Sequence, residues 1–220
     1  MSPRPARALT IVSLIVASLA AASPAQAGPP LLCHPYDIGD AKSLPWDNAK
    51  GLSVGRGDYA IGQLVRDTEA LLGPSTPVIV RMETLRRATI YASRDRAVAV
   101  QLLERVTSRA RASEQAGKPD ALLLLDAAYV TEAYRQIGML GYNADFRDRA
   151  PVLKAIIGTS DGTVLMAKSL AARPGDASLE FAAALIAADK NRSAFESHAK
   201  KARAGAASDP LLARNLDHVS

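Results

Sequence analysis

The run DALLLLDAAYVTEAYRQIGM, residues 120–139, decides the fold. Asp120 is a helix-capping residue type placed directly after Gly117-Lys118-Pro119, a stop for whatever precedes it, and no breaker follows until Gly138. The apolar residues lie all round this helix, so it belongs in the middle of a core. It carries two carboxylates, Asp126 and Glu132, six positions apart and so pointing in different directions. Either would become an acid–base group if burial raised its pKa; the expectation is that each emerges at a helix edge or pairs with an arginine such as Arg135.

Working outward, the same punctuation recurs. Downstream, helices are expected at 150–157, 161–172, 176–188, 192–204 and 210–217, divided by Gly158, Pro174-Gly175, Asn191 and Gly205, with Asp161, Asp176 and Ser208 at capping positions. Upstream, Asp58 is read as the cap of a helix to Leu72, Thr76-Pro77 as the start of a second helix, and 94–116 as a third. No strand series is found, so the fold class is all-α: a stack or bundle of about nine helices in hairpins, α-solenoid-like, over residues 58–220. Alanine makes up 42 of the 220 residues, enough to let helices approach closely. Residues 28–57, with Pro29, Pro30, Pro35 and Pro45 and with Gly39, Gly51, Gly55 and Gly57, read as an irregular arm.

Residues 1–27 read as a cleaved secretory signal peptide. Arg4 and Arg7 precede an uncharged stretch, Ala8 to Ala22, and Ala25-Gln26-Ala27 is a small-x-small ending suited to signal peptidase. That stretch is shorter than the ~20 residues needed to span a bilayer, and the later chain holds no uninterrupted apolar span. The mature product is therefore expected to begin at Gly28, to have no transmembrane helix, and to be periplasmic or secreted. One cysteine cannot form an intramolecular disulfide, so stability must come from packing. Leu32 before Cys33 is unlike the small residue that lipidation needs.

The balance of 27 basic and 22 acidic residues is a mild excess on a mixed surface, and the aromatic fraction of 5% is too low for base stacking, so no nucleic-acid partner is expected. There is no HExxH, CxxC, Walker loop or dinucleotide glycine fingerprint; no cofactor, metal site or catalytic residue is assigned. Gly158-Thr159-Ser160-Asp161-Gly162 matches G-x-S-x-G, but that turn needs a buried strand before it, and a helix stop followed by a capping pair is the better reading. Arg56-Gly57-Asp58 has the letters of an integrin-binding loop; helix capping by Asp58 accounts for them. Asn191-Arg192-Ser193 is a glycosylation sequon, idle unless the host glycosylates.

The segment 176–210 resembles a degenerate tetratricopeptide unit, with Ala184, Leu185, Ala194, Ala202 and Pro210 near the small, apolar and proline positions and about 34 residues between successive starts. The usual aromatic series is missing, and His198 stands where an aromatic is usual. The resemblance implies a concave surface that holds a peptide or protein, and no catalytic residues.

Two clusters remain as binding candidates. Cys33 to Asp47 holds the only cysteine, the only tryptophan, and His34, Tyr36 and Asp37. Thiolate, imidazole and carboxylate together bind transition metals or serve redox chemistry. Adjacent Cys33 and His34 point apart, however, and no common zinc spacing occurs. The competing reading is an arm whose Tyr36, Leu44 and Trp46 plug the end of the helical stack, with Cys33 a small buried hydrophobe. The second cluster, Arg81, Arg86, Arg87, Arg94 and Arg96, is either a solvated face with local ion pairs or a seat for an anionic polymer of the envelope. The leading expectation is an exported binding or scaffold module holding a peptide, protein or anionic polymer in an inter-helix groove, with Cys33, His34, Tyr36, Asp37, Trp46, Arg86 and Arg87 as candidate contacts. The alternative is a metal-binding, redox or enzymatic factor centred on residues 33–47. The two are separated by whether the arm folds back so that its polar groups converge on a core carboxylate.

Overall fold

The computed structural model describes residues 28–47 and 55–220. The signal segment at 1–27 lies outside the described residues. Among the described residues there are nine α-helices and no strand, with 65% helix. They are α1 Leu64–Leu71, α2 Val78–Ala92, α3 Arg96–Gln115, α4 Ala121–Met139, α5 Ala150–Ile157, α6 Gly162–Ala172, α7 Ala177–Ala187, α8 Arg192–Gly205 and α9 Pro210–Arg214.

Most starts are set by one short polar side chain. The carboxylates of Asp95, Asp120, Asp161, Asp176 and Asp209 and the Asn191 amide oxygen each accept from one or two backbone N–H groups of the first turn. Each such cap stabilises its helix by about 1 kcal/mol. Gly117, Gly158 and Gly175 end helices with positive φ, which a side chain would resist.

Four start and stop readings are corrected. Asp58 caps nothing: its carboxylate takes two hydrogen bonds from Arg56, at 2.9 and 2.6 Å, and the helix begins later with a 3₁₀ turn at Ile61–Gln63. Pro77 is extended (ψ 149°) and stands before the first helical residue, Val78. Ser208 closes a 3₁₀ turn, and Asp209 is the cap. The last helix ends at Arg214 and gives way to a 3₁₀ segment, Leu216–Val219.

Helix α4 is the axis. It packs against α2, α3, α5, α6 and α7, while α7 pairs with α8 as a hairpin and touches α2. Between α4 and α6 the approach needs a glycine: a Cβ on Gly162 would stand 2.6 Å from the Ala128 carbonyl oxygen and 2.6 Å from Glu132 Cγ. In α2 every residue but Arg87 is buried, polar ones included. This is unlike a surface helix, and the cause is the arm. Leu31, Leu32, Tyr36 and Leu44 are buried in the common core, so residues 28–47 lie across α2 as its outer cover. Trp46 and Cys33 are only half-buried, less than a plug reading requires.

Candidate functional site

The arm is held chiefly through its backbone. The Leu31 N–H donates to Gln136 Oε1 at 3.0 Å, and Tyr129 OH donates to the Leu31 carbonyl at 2.7 Å. Arg86 Nη1 donates to the Leu32 carbonyl at 3.1 Å, and the Tyr36 N–H donates to Glu83 Oε2 at 3.1 Å. Further along, Arg87 Nη1 reaches the Leu44 carbonyl at 2.6 Å, and Tyr91 OH reaches that of Pro45 at 2.5 Å. A segment without regular structure satisfies only part of its own N–H and C=O groups, here through turns such as Cys33 N–H to the Pro29 carbonyl, so buried side chains from α2 and α4 supply further partners.

Glu83 organises this clamp. It is fully buried; its oxygens accept from Arg86 Nε at 2.7 Å, Arg86 Nη2 at 2.9 Å and Arg87 Nε at 2.6 Å. Glu83 stands in the sequence among the arginines of the 81–96 cluster, and it is the core carboxylate on which the arm folds back. Arg86 is fully buried and Arg81 nearly so, and neither belongs to a solvated face. Arg81 forms a two-point pair with Asp126, at 2.9 and 2.6 Å, and also donates to the Gly73 carbonyl. Asp126 therefore lies deep in the core, where burial pushes its carboxyl up against the pull of Arg81. Glu132 does pair with Arg135, at 2.6 Å, and takes two further bonds, from Lys190 and from the Gly162 N–H.

The structure brings the seven candidate residues to one side of the bundle without making them converge on a cavity. Arg86 and Arg87 point at Glu83 and the arm backbone. Trp46 stands edge-on to Tyr91, with the Arg86 guanidinium 4.9 Å from its ring centre. Burial raises the Cys33 thiol, although Arg86 opposes the shift, so the arrangement does not favour a thiolate. His34, Tyr36, Phe181 and His218 form an aromatic cluster, Tyr36 stacked on His218 with centres 5.0 Å apart and His34 edge-on at 6.0 Å. The Asp37 N–H donates to Asn215 Oδ1 at 2.9 Å, and Asn215 Nδ2 donates to the Asp37 carbonyl at 2.9 Å. Among the described residues no group of three or more His, Cys, Asp or Glu side chains is arranged to hold a metal ion.

Ser160 lies exposed in the turn between α5 and α6, where Asp161 caps the second helix. The acid and histidine that follow it in order are engaged elsewhere: Asp189 with Arg135, and His198 with Glu180. The integrin-like tripeptide is closed on itself by the Arg56–Asp58 pair.

The open concave surface is on the far half of the chain. A groove of about 510 Å³ runs between α6, α7 and α8, floored by Met166, Leu170, Ala183 and Ile186, with Lys190 and His198 among its polar lining. A second hollow of about 400 Å³ adjoins it across Lys190, lined by Arg135, Met139, Lys154 and the Ser160 turn. Sequence reading names Arg135, Ser160 and His198 in other roles and does not single out Met166, Leu170, Ile186 or Lys154. The signal available was the alanine-rich face of the α7–α8 hairpin, which leaves room where larger side chains would fill it.

Fold and site together define a class: a helical bundle with a clamped N-terminal arm and an open groove. Compared with family models, curated proteins and solved structures, the chain finds no match in any of the three.

Proposed function

We propose that this chain is an exported binding module that holds a segment of another polypeptide in the α6–α7–α8 groove. The observation that carries this reading is the groove itself: an apolar floor with a lysine and a histidine in its lining is how a helical scaffold holds apolar side chains while orienting a backbone or carboxylate. The tetratricopeptide resemblance of residues 176–210 supports the same use, since α7 and α8 are its two helices. The export half of the proposal rests on residues 1–27 and is tested by sequencing the N-terminus of the cell-fractionated protein, expected at Gly28.

The groove is tested at Ala167, an exposed lining residue whose enlargement fills the groove without entering the core. A photocrosslinking side chain at Thr163, another lining residue of the groove, is expected to capture a polypeptide from envelope extract, while one at Gln115 on α3 captures none. Ala167→Trp should abolish capture and change stability by no more than about 0.5 kcal/mol. Equal capture at both positions, or capture unaffected by Ala167→Trp, overturns the reading.

A further inference from the structure

We propose that the clasp between the N-terminal arm and the C-terminal 3₁₀ segment is an acid-sensitive latch, opened when His218 takes up a proton opposite His34. The clasp joins the two ends of the described chain. Its hydrogen-bonded part is the Asp37–Asn215 pair, and Asn215 is fully buried. Its packed part is the His34, Tyr36, Phe181 and His218 cluster.

His218 Nδ1 is buried without a hydrogen-bond partner. An uncharged imidazole tolerates that place; an imidazolium gains a second N–H that must be solvated or paired. The charged surroundings offer little help. On the arm, His34 faces the ring as a second imidazole, and the Asp37 carboxylate is engaged by the Gly39 N–H at 2.9 Å and by Arg214 at 3.6 Å. On α2, Glu83 favours a positive charge and Arg86 opposes it, and the oxygens of Glu83 are already taken by Arg86, Arg87 and the Tyr36 N–H. The face of α7 is the neutral Phe181 ring, and from α8 Arg203 donates to the Val219 carbonyl. Asp217 on the same segment favours the cation but is exposed. The net effect is that burial, then His34, hold His218 down to about 4 from 6.5.

A histidine lowered in the closed form makes closure complete above its ordinary titration and loses it as pH falls. Between 6.5 and about 4 the closed-to-open ratio therefore drops about tenfold per pH unit. Opening frees the Asp37 amide from Asn215 and uncovers Phe181.

The test reads hydrogen exchange of the Asp37 amide in the purified full chain, corrected for the intrinsic pH dependence of exchange, with the Leu31 and Tyr36 amides, bonded to Gln136 and Glu83, as internal references. Protection of Asp37 is expected to fall about tenfold per pH unit below 6.5 in the wild type, more steeply than that of the references, and to stay flat in His218→Phe, which keeps the ring packing. His198→Gln, which alters the histidine bonded to Glu180 on the other face of α7, is expected to behave as wild type. A flat wild-type profile, or the wild-type slope persisting in His218→Phe, overturns the latch. Should His218→Phe not fold, the His218 ring resonance in the wild type decides. A ring that titrates while the Asp37 amide stays protected refutes the proposal, and loss of its protection in step with the ring supports it.

Discussion

Helices α2 and α8 carry similar letters and opposite fates. Both are rich in arginine or lysine with a single glutamate, yet α2 buries Arg81, Glu83 and Arg86 completely while α8 turns Arg192, Glu196, Lys200 and Arg203 to solvent and buries only Ala199 and Ala202. The difference is not intrinsic to either helix. An arm supplying carbonyls and a Tyr36 N–H covers α2, and those groups complete the bonding of its charges. Nothing comparable lies over α8, so its charges remain hydrated and its small residues face α7. Charge in a helix predicts exposure only when no other part of the chain brings partners.

The sharpest way to break that comparison is Glu83→Ala. It leaves the Arg86 guanidinium buried without its carboxylate and removes the acceptor of the Tyr36 N–H, and should cost about 3–5 kcal/mol in urea denaturation. A loss under about 1 kcal/mol would mean that the clamp is hydrated in solution. On α8 the sensitive side is the packed one. Ala202→Leu forces extra volume between α7 and α8 and is expected to destabilise by about 1–3 kcal/mol, read in the same way. The smallest effect belongs to the outer face: Lys200→Ala should change stability by less than about 0.5 kcal/mol, because the side chain is exposed and forms no ion pair among the described residues.

What was legible in the sequence followed from range. A cap acts two or three residues along, so Asp120, Asp161 and Asp176 announced their helices, and the all-α class followed; Asp95 and Asn191 cap theirs in the same way, although the sequence reading starts the third helix at 94 and takes Asn191 as a divider. Asp58 misled because another local partner, Arg56, was two residues away and outcompeted the helix terminus. The site was mostly illegible for the opposite reason. The bonds that fix the arm span 47 positions from Tyr36 to Glu83 and 105 from Leu31 to Gln136, and no periodicity encodes such pairings. That residues 33–47 matter could be read from their crowding of rare side chains. That they meet α2 through the main chain could not.

Asp37 and Asn215 bond across 178 positions, and a ribosome delivers the first long before the second. Until Asn215 emerges, the Asp37 amide and carbonyl have no counterpart, and Tyr36 lacks the His218 ring that stacks on it. The arm therefore docks on α2 and α4 before its far end is fastened, and a chain stalled before Asn215 would present Tyr36 and Phe181 to whatever chaperone attends it.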